Sequence, residues 1–200
     1  MPSLGMFRSN GTGLEIVARY DGDVPGWGGL ARNDQLHVGD FDGDGKADLY
    51  IFNGPDWSMP YLGMFRSNGR GLELVARYDG DVPGWGGMRS NDIFLSVDIN
   101  GDKKSDLFVY NFKDWPFEYV GKMISDGSSL SCSYAEDWIG EWNLGSVDMF
   151  ETGNFQGGLG KPDLLVHNHD WFGVIQCNDG FWLQQIYYRW IHNYNYGRNW

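Results

Sequence analysis

The residues best suited to chemistry are acidic and regularly spaced. Asp40, Asp42, Asp44 and Asp48 lie in Asp40-Phe41-Asp42-Gly43-Asp44-Gly45-Lys46-Ala47-Asp48. A second stretch, Asp98-Ile99-Asn100-Gly101-Asp102-Lys103-Lys104-Ser105-Asp106, repeats the pattern with Asp98, Asn100, Asp102 and Asp106. Side-chain oxygens recur at relative positions 1, 3, 5 and 9, and the backbone carbonyls of Lys46 and Lys104 stand at position 7. That alternation wraps a hard cation, which takes six to eight oxygens at about 2.3–2.6 Å. The glycines permit the tight path, and without a cation the crowded carboxylates repel one another. The expected cofactor is Ca2+, and a solvated acidic turn is the alternative. Position 12, where an EF-hand has Glu, is Ile51 or Val109 inside an expected strand, so each loop joins two strands. A degraded third copy keeps Asn154, Gln156 and Asp163 as oxygen donors, with one extra residue, and is expected to bind calcium weakly or not at all.

A second recurring group is aromatic and polar. Pro25-Gly26-Trp27 returns as Pro83-Gly84-Trp85, with Trp138 and Trp142 in a divergent copy. Arg19-Tyr20-Asp21-Gly22-Asp23 returns as Arg77-Tyr78-Asp79-Gly80-Asp81. Indoles in loops stack on the apolar faces of sugars, and nearby Arg and Asp bond hydroxyls. The candidate ligand contacts are therefore Trp27, Trp85 and Trp138, with Arg19, Arg77, Asp23 and Asp81 supplying polar specificity. The pairs Asp56-Trp57, Asp114-Trp115 and Asp170-Trp171 each follow an Asn, namely Asn53, Asn111 and Asn168. For every one of these indoles, packing between sheets is the competing reading.

These residues recur because the chain repeats. Leu4–Gly29 matches Leu62–Gly87 except at Thr12/Arg70 and Ile16/Leu74, a period of 58 residues, and a looser copy starts at Val120. Repeat units fall at about 4–61, 62–119 and 120–173, with a partial unit over 174–200, in a single repeat domain. In the second copy, Tyr61–Ser67 and Leu72–Tyr78 flank Asn68-Gly69, a hairpin signal. Ile93–Val97 and Leu107–Asn111 then flank the acidic loop. The first-copy equivalents are Gln35–Gly39 and Leu49–Asn53, and those of the third are Leu144–Met149 and Leu164–Asn168. Gly173–Cys177 and Phe181–Arg189 continue the pattern, giving about fourteen strands and no sustained helical period. Cut before the acidic loop, the chain makes three four-stranded blades preceded by a half blade, Leu4–Tyr20. Open strand edges favour completion by another chain or by oligomerisation.

The motif GDFDGDGKADL, with the preceding strand ending in Val38-Gly39, resembles the FG-GAP or VCBS repeat. The resemblance implies an all-β, integrin-type propeller of four-stranded antiparallel blades with calcium held in loops near its surface. It implies function only broadly, because such propellers serve in adhesion receptors, lectins, toxins and accessory domains of enzymes. The chain departs from a closed seven-bladed ring in its partial blade count. Calcium enclosed in such a loop is structural rather than catalytic.

Bulk composition agrees with an all-β domain: 200 residues carry 30 Gly, 10 Trp, 11 Tyr and 12 Phe. The net charge of -12 argues against nucleic acid, which needs a basic stripe. No apolar stretch reaches transmembrane length. The opening MPSLGMFRSNG has no signal-peptide core, so either export does not use that route or the leader lies outside this chain. An extracellular or cell-surface location is expected, and Cys132 and Cys177 permit one disulfide without requiring it. No nucleophile, base and orienting group can be picked out. His37 reads as a core residue, and His167 with His169 as a weak metal pair. Carboxylate pairs for sugar hydrolysis could be drawn from Asp21, Asp23, Asp79 and Asp81, a matter of geometry. The expectation is a non-enzymatic, calcium-stabilised, multivalent carbohydrate-binding protein acting on glycans or glycoproteins. A protein-interaction or assembly module is the alternative, and a glycan-active enzyme stands third.

Overall fold

The computed structural model describes residues 1–54, 59–111, 119–136, 138–139, 142–143, 145, 148–155, 162–168, 171–178 and 182–190. Of 134–136, 138–139, 142–143, 177–178 and 182–190, the backbone alone is described. Every regular element among these residues is a strand. An N-terminal ribbon pairs β1 (Ser3–Ser9) with β2 (Leu14–Asp21). The first full sheet holds β3 (Gln35–Gly39), β4 (Asp48–Asn53), β5 (Tyr61–Ser67) and β6 (Leu72–Asp79) in sequence order. The second holds β7 (Ile93–Val97), β8 (Asp106–Asn111), β9 (Tyr119–Ser125) and β10 (Leu130–Glu136). A short ribbon, β11 (Trp138–Ile139) with β12 (Trp142–Asn143), precedes the third sheet. That sheet holds β13 (Met149–Gly153), β14 (Asp163–His167), β15 (Trp171–Asn178) and β16 (Trp182–Trp190). All pairings are antiparallel. No helix among the described residues is long and apolar enough to cross a membrane.

The repeat thus becomes all-β, four-stranded antiparallel sheets, cut just before each acidic loop and preceded by a half unit. One element is displaced from expectation. The first strand of the third sheet runs over Met149–Gly153, rather than Leu144–Met149. The reason lies in Asp148, which is buried and accepts hydrogen bonds from Gly145 N (2.9 Å) and Asn168 Nδ2 (2.7 Å). These bonds tie Gly145 and Asn168 to the residue that immediately precedes the strand. Asp92 stands in the same position before β7, accepting from Arg89 N at 2.9 Å.

Hairpin chemistry explains the outer strands. Asn10 Oδ1 accepts from Thr12 N and Gly13 N at 3.0 and 2.8 Å, and Gly11 adopts φ 88°. Asn68 and Asp126 act in the same way before Gly69 and Gly127. Each outer pair also carries a register shift at one phase, at Met6/Phe7, Met64/Phe65, Cys132/Tyr134 and Val174/Ile175. Such bulges bend and twist a strand pair.

Alternation assigns each strand face to a different core. In β4, Leu49 and Ile51 face the N-terminal ribbon, in a cluster with Val24, Trp27 and Phe65. Tyr50 and Phe52 face the second sheet, in a cluster with Phe94, Leu107 and Val109. In β8, Leu107 and Val109 face back, while Phe108 and Tyr110 face Phe150, Leu164 and Val166 of the third sheet. Successive sheets therefore stack face to face, with β3 beside β7 and β7 beside β13. Polar clasps recur at the same phase. Tyr20 Oη accepts from Leu72 N at 2.6 Å, and Tyr78 Oη accepts from Leu130 N at 2.5 Å.

Candidate metal centre

The first acidic loop crosses from β3 to β4 and is built around Asp40. Asp40 Oδ1 accepts from Gly43 N (2.8 Å) and Asp44 N (3.1 Å), and Oδ2 accepts from Gly45 N (2.8 Å). The turn this requires puts Gly43 at φ 80° and Gly45 at φ 84°, a region that disfavours larger residues. Asp42 Oδ1 accepts from Asp44 N at 3.0 Å. Asp48, only 1% exposed, closes the loop from the first position of β4. Its Oδ2 accepts from Phe41 N at 3.2 Å and its Oδ1 from Ser67 N at 2.7 Å.

The result brings Asp40, Asp42 and Asp48 together, with one oxygen of each within 4.8 Å of the others. Two oxygens on one calcium, each about 2.4 Å from it, can stand no further apart than about that distance. The donor set, hard carboxylate oxygens around a glycine turn, fits a divalent cation. Burial pushes Asp48 up to about 6, reinforced by Asp42 and Asp44 and opposed by the Ser67 and Phe41 hydrogen bonds. A cation would reverse that cost, since the buried group would then meet positive charge.

Asp44 and Lys46 are tied to each other. Lys46 Nζ forms an ion pair with Asp44 Oδ2, and Lys46 N donates to Asp44 Oδ1 at 2.8 Å. Asp44 is thus compensated by a lysine and stands outside the three-carboxylate cluster. Its carboxyl is held below the usual range by that lysine.

The second loop has the same framework. Asp98 accepts from Gly101 N, Asp102 N and Lys103 N at 2.7–3.1 Å. Asn100 Oδ1 accepts from Asp102 N at 2.9 Å, and Lys104 Nζ lies 3.0 Å from Asp102 Oδ2. Asp106 accepts from Ile99 N (2.9 Å) and Ser125 N (2.8 Å), and burial pushes it up to about 7. With Asn100 in place of Asp42, this loop carries one carboxylate fewer. In the third loop Asp163 keeps the closing bond, from Phe155 N at 2.9 Å, while Gln156 lies outside the described residues. The first two loops touch: Asp40 O accepts from Ser105 N at 2.7 Å.

The expected ligand contacts are engaged mainly within the fold. Trp27 (4% exposed) packs edge-on against Tyr61 and Phe65, at 6.4 and 5.6 Å between ring centroids. Trp85 (9% exposed) belongs to the core between the first and second sheets, and its Nε1 donates to Asp92 Oδ2 at 3.3 Å. Both indoles are buried, the arrangement that the packing alternative describes. Asp23 Oδ1 accepts from Gly28 N and Gly29 N, and Asp81 Oδ1 from Gly86 N and Gly87 N, so both shape the Trp loops. Arg19 pairs with Asp21 at 2.7 Å on the surface. Arg77 pairs with Asp79 at 2.6 Å, donates to Trp27 O at 3.0 Å, and lies 4.3 Å from the centroid of Tyr61. Trp138 lies in β11 with its side chain outside the described residues, as are Asp56, Trp57, Asp114, Trp115, His169 and Asp170. Trp171 packs against the core of the second and third sheets. His37 is held neutral by burial, which lowers it to about 4, and its ring lies 6.0 Å from Phe94.

Sequence reasoning passed over a buried Asp–Asn couple. Asn111 Nδ2 donates to Asp92 Oδ1, and Asn168 Nδ2 to Asp148 Oδ1. Asp92 and Asn111 are both fully buried. The signal was present, since Asp34/Asp92 and Asn53/Asn111 recur with the same period as the loops. No protein-family model and no curated protein matches this chain.

Proposed function

We propose that this chain is a calcium-stabilised, non-catalytic interaction module of the FG-GAP/VCBS propeller kind. The observation that carries the reading is the convergence of the Asp40, Asp42 and Asp48 carboxylates within 4.8 Å. Asp48 also ties the loop to β5 through Ser67, so a bound cation would stiffen a sheet rather than a loop alone. Calcium here organises structure, and the repeated stack presents equivalent surfaces to glycoprotein or protein partners outside the cell. Completion of the stack by another chain, including a homo-oligomer, belongs to this reading. Isothermal titration of the metal-stripped protein with CaCl2 tests it, beside Asp42→Asn. Saturable heat in the wild type and at least tenfold weaker binding in the variant are expected. No calcium uptake by the folded wild type overturns it.

A carbohydrate-binding role is the second reading. It is favoured by the exposed Arg19–Asp21 and Arg77–Asp79 pairs, which recur at one phase and offer charged hydrogen-bonding groups for hydroxyls. A glycan array in calcium and in EDTA separates the two. Selective binding lost in Arg19→Ala/Arg77→Ala supports a lectin, and an empty array from calcium-loaded protein removes that role.

A further inference from the structure

The two near-identical copies of the outer hairpin differ at two positions, and one of these changes the chemistry on offer. Asn10-Gly11-Thr12, at the tip of β1–β2, becomes Asn68-Gly69-Arg70 at the tip of β5–β6. Asn-X-Ser/Thr, with X other than Pro, is the acceptor sequence for N-linked glycans and requires a surface segment. The asparagine supplies the amide, and the hydroxyl two positions on must reach it. Among all asparagines of the 200-residue chain, Asn10 alone stands in that sequence.

The turn holds these groups in contact. Asn10 Oδ1 accepts from Thr12 N (3.0 Å), Thr12 Oγ1 (3.0 Å) and Gly13 N (2.8 Å). Three donors pin the carbonyl end of the side chain, while Nδ2 makes no hydrogen bond among the described residues. Asn10, Gly11 and Thr12 are all exposed. That exposure belongs to the hairpin tip itself. Asn68, Gly69 and Arg70 are exposed as well, in a sheet packed on both faces. The turn accepts either residue at its third position, since Arg70 N bonds Asn68 Oδ1 at 2.9 Å as Thr12 N bonds Asn10. Arginine offers no hydroxyl. The tips also stand at the loop-bearing end of the stack. A Cβ on Gly69 would lie 3.9 Å from Lys46 Cδ, and one on Gly127 would lie 3.4 Å from Asp42 Cα. A group attached at such a tip projects from that end and leaves the packed sheet faces untouched.

We infer that Asn10 is a site of N-glycosylation, taking an oligosaccharide from a lipid-diphosphate carrier. The inference rests on the proposed setting outside the cell and adds a covalent modification to it. In the transfer, Asn10 Nδ2 attacks the anomeric carbon of the first sugar. The carbon–nitrogen bond forms, and the bond from that carbon to the diphosphate oxygen breaks. One Nδ2 proton passes to a base of the transferring enzyme, and the lipid diphosphate departs. Nothing is oxidised or reduced. Thr12 is a positioning residue, because its hydroxyl holds the amide that reacts. The second copy keeps the turn and lacks the hydroxyl, so Asn68 stays bare. One of two otherwise equivalent hairpins is thereby marked.

The full chain is expressed behind a cleavable leader in cultured eukaryotic cells, and the product is collected from the medium and from the secretory membranes. Gel mobility is read before and after peptide:N-glycosidase treatment in heavy-oxygen water, followed by peptide mass spectrometry. One glycan per chain is expected, with heavy oxygen entering at Asn10 alone when the glycan is removed. Asn10→Gln and Thr12→Arg should each lose the glycan entirely, and Thr12→Ser, which restores a hydroxyl, should keep it. Thr12→Arg installs the residue that the same turn already holds in the second copy, so the chain itself vouches for its fold. Wild-type chain recovered from the secretory membranes without a glycan overturns the inference, as does a glycan that survives Thr12→Arg. Calcium titration of the glycan-free Thr12→Arg chain keeps this failure distinct from failure of the interaction-module reading.

Discussion

Asp48 holds Ser67 by a 2.7 Å hydrogen bond to its backbone N–H, while standing in the carboxylate cluster with Asp40 and Asp42. One side chain therefore couples a strand pairing to a carboxylate cluster that could hold a divalent cation, and Asp106 accepts the equivalent bond from Ser125 N at 2.8 Å. Among the described residues, Asp42 makes no such bond to a strand. Its bond is local, to Asp44 N.

This difference separates two variants. Asp42→Asn should weaken calcium binding at least tenfold and leave the calcium-free stability unchanged. Asp48→Ala should abolish binding and also cost about 1–3 kcal/mol without calcium, because buried N–H groups of Ser67 and Phe41 lose their acceptor. Urea unfolding in EDTA, beside calorimetric titration, reads both quantities.

The pH dependence follows from burial. Asp48 is pushed up to about 6 and Asp106 to about 7, from 3.8. A raised folded pKa means the folded chain holds these protons more tightly than the unfolded chain. Their contribution is complete below about pH 3.8 and is lost as pH rises through about 6 to 7. The melting temperature in EDTA should therefore fall across that window, and fall less in Asp106→Asn. Calcium affinity should move the opposite way, strengthening from pH 5 to pH 8, because the cation competes with these protons.

The Asp92 network should prove structural. Asp92→Ala strips acceptors from Asn111, Arg89 N and Trp85 Nε1, all at the base of β7. A loss of about 2–4 kcal/mol is expected by chemical denaturation, with calcium affinity unchanged in the folded protein.

Trp27→Ala and Trp85→Ala should behave as core truncations, each costing about 3–5 kcal/mol in urea unfolding. Arg19→Ala, at an exposed ion pair, should leave stability within about 0.5 kcal/mol of wild type. Any change in glycan binding by Arg19→Ala then reports contact rather than unfolding.

Phase and element type were legible in the chain. An Asn-Gly turn, an acidic loop and alternating apolar residues each specify local geometry, and their return after 58 residues specifies that the geometry repeats. The acidic loop was legible for the same reason, since its carboxylates lie within nine successive positions. Its tie to Ser67 was not, because that bond spans 19 residues and exists only when β4 lies against β5. The roles of Trp27 and Trp85 were decided by tertiary structure as well. A Gly-rich loop can fold its indole inward or outward, and sheet stacking selected inward by offering Tyr61 and Phe65 to one ring and the Asp92 carboxylate to the other. The first strand of the third sheet starts at Met149, directly after Asp148, whose bond to Asn168 joins residues 20 apart and exists only in the folded sheet. The amino-acid sequence alone determined the repeating unit and its acidic loop, which are local. Which faces meet and which indoles are covered depend on contacts between units, which arise only on stacking.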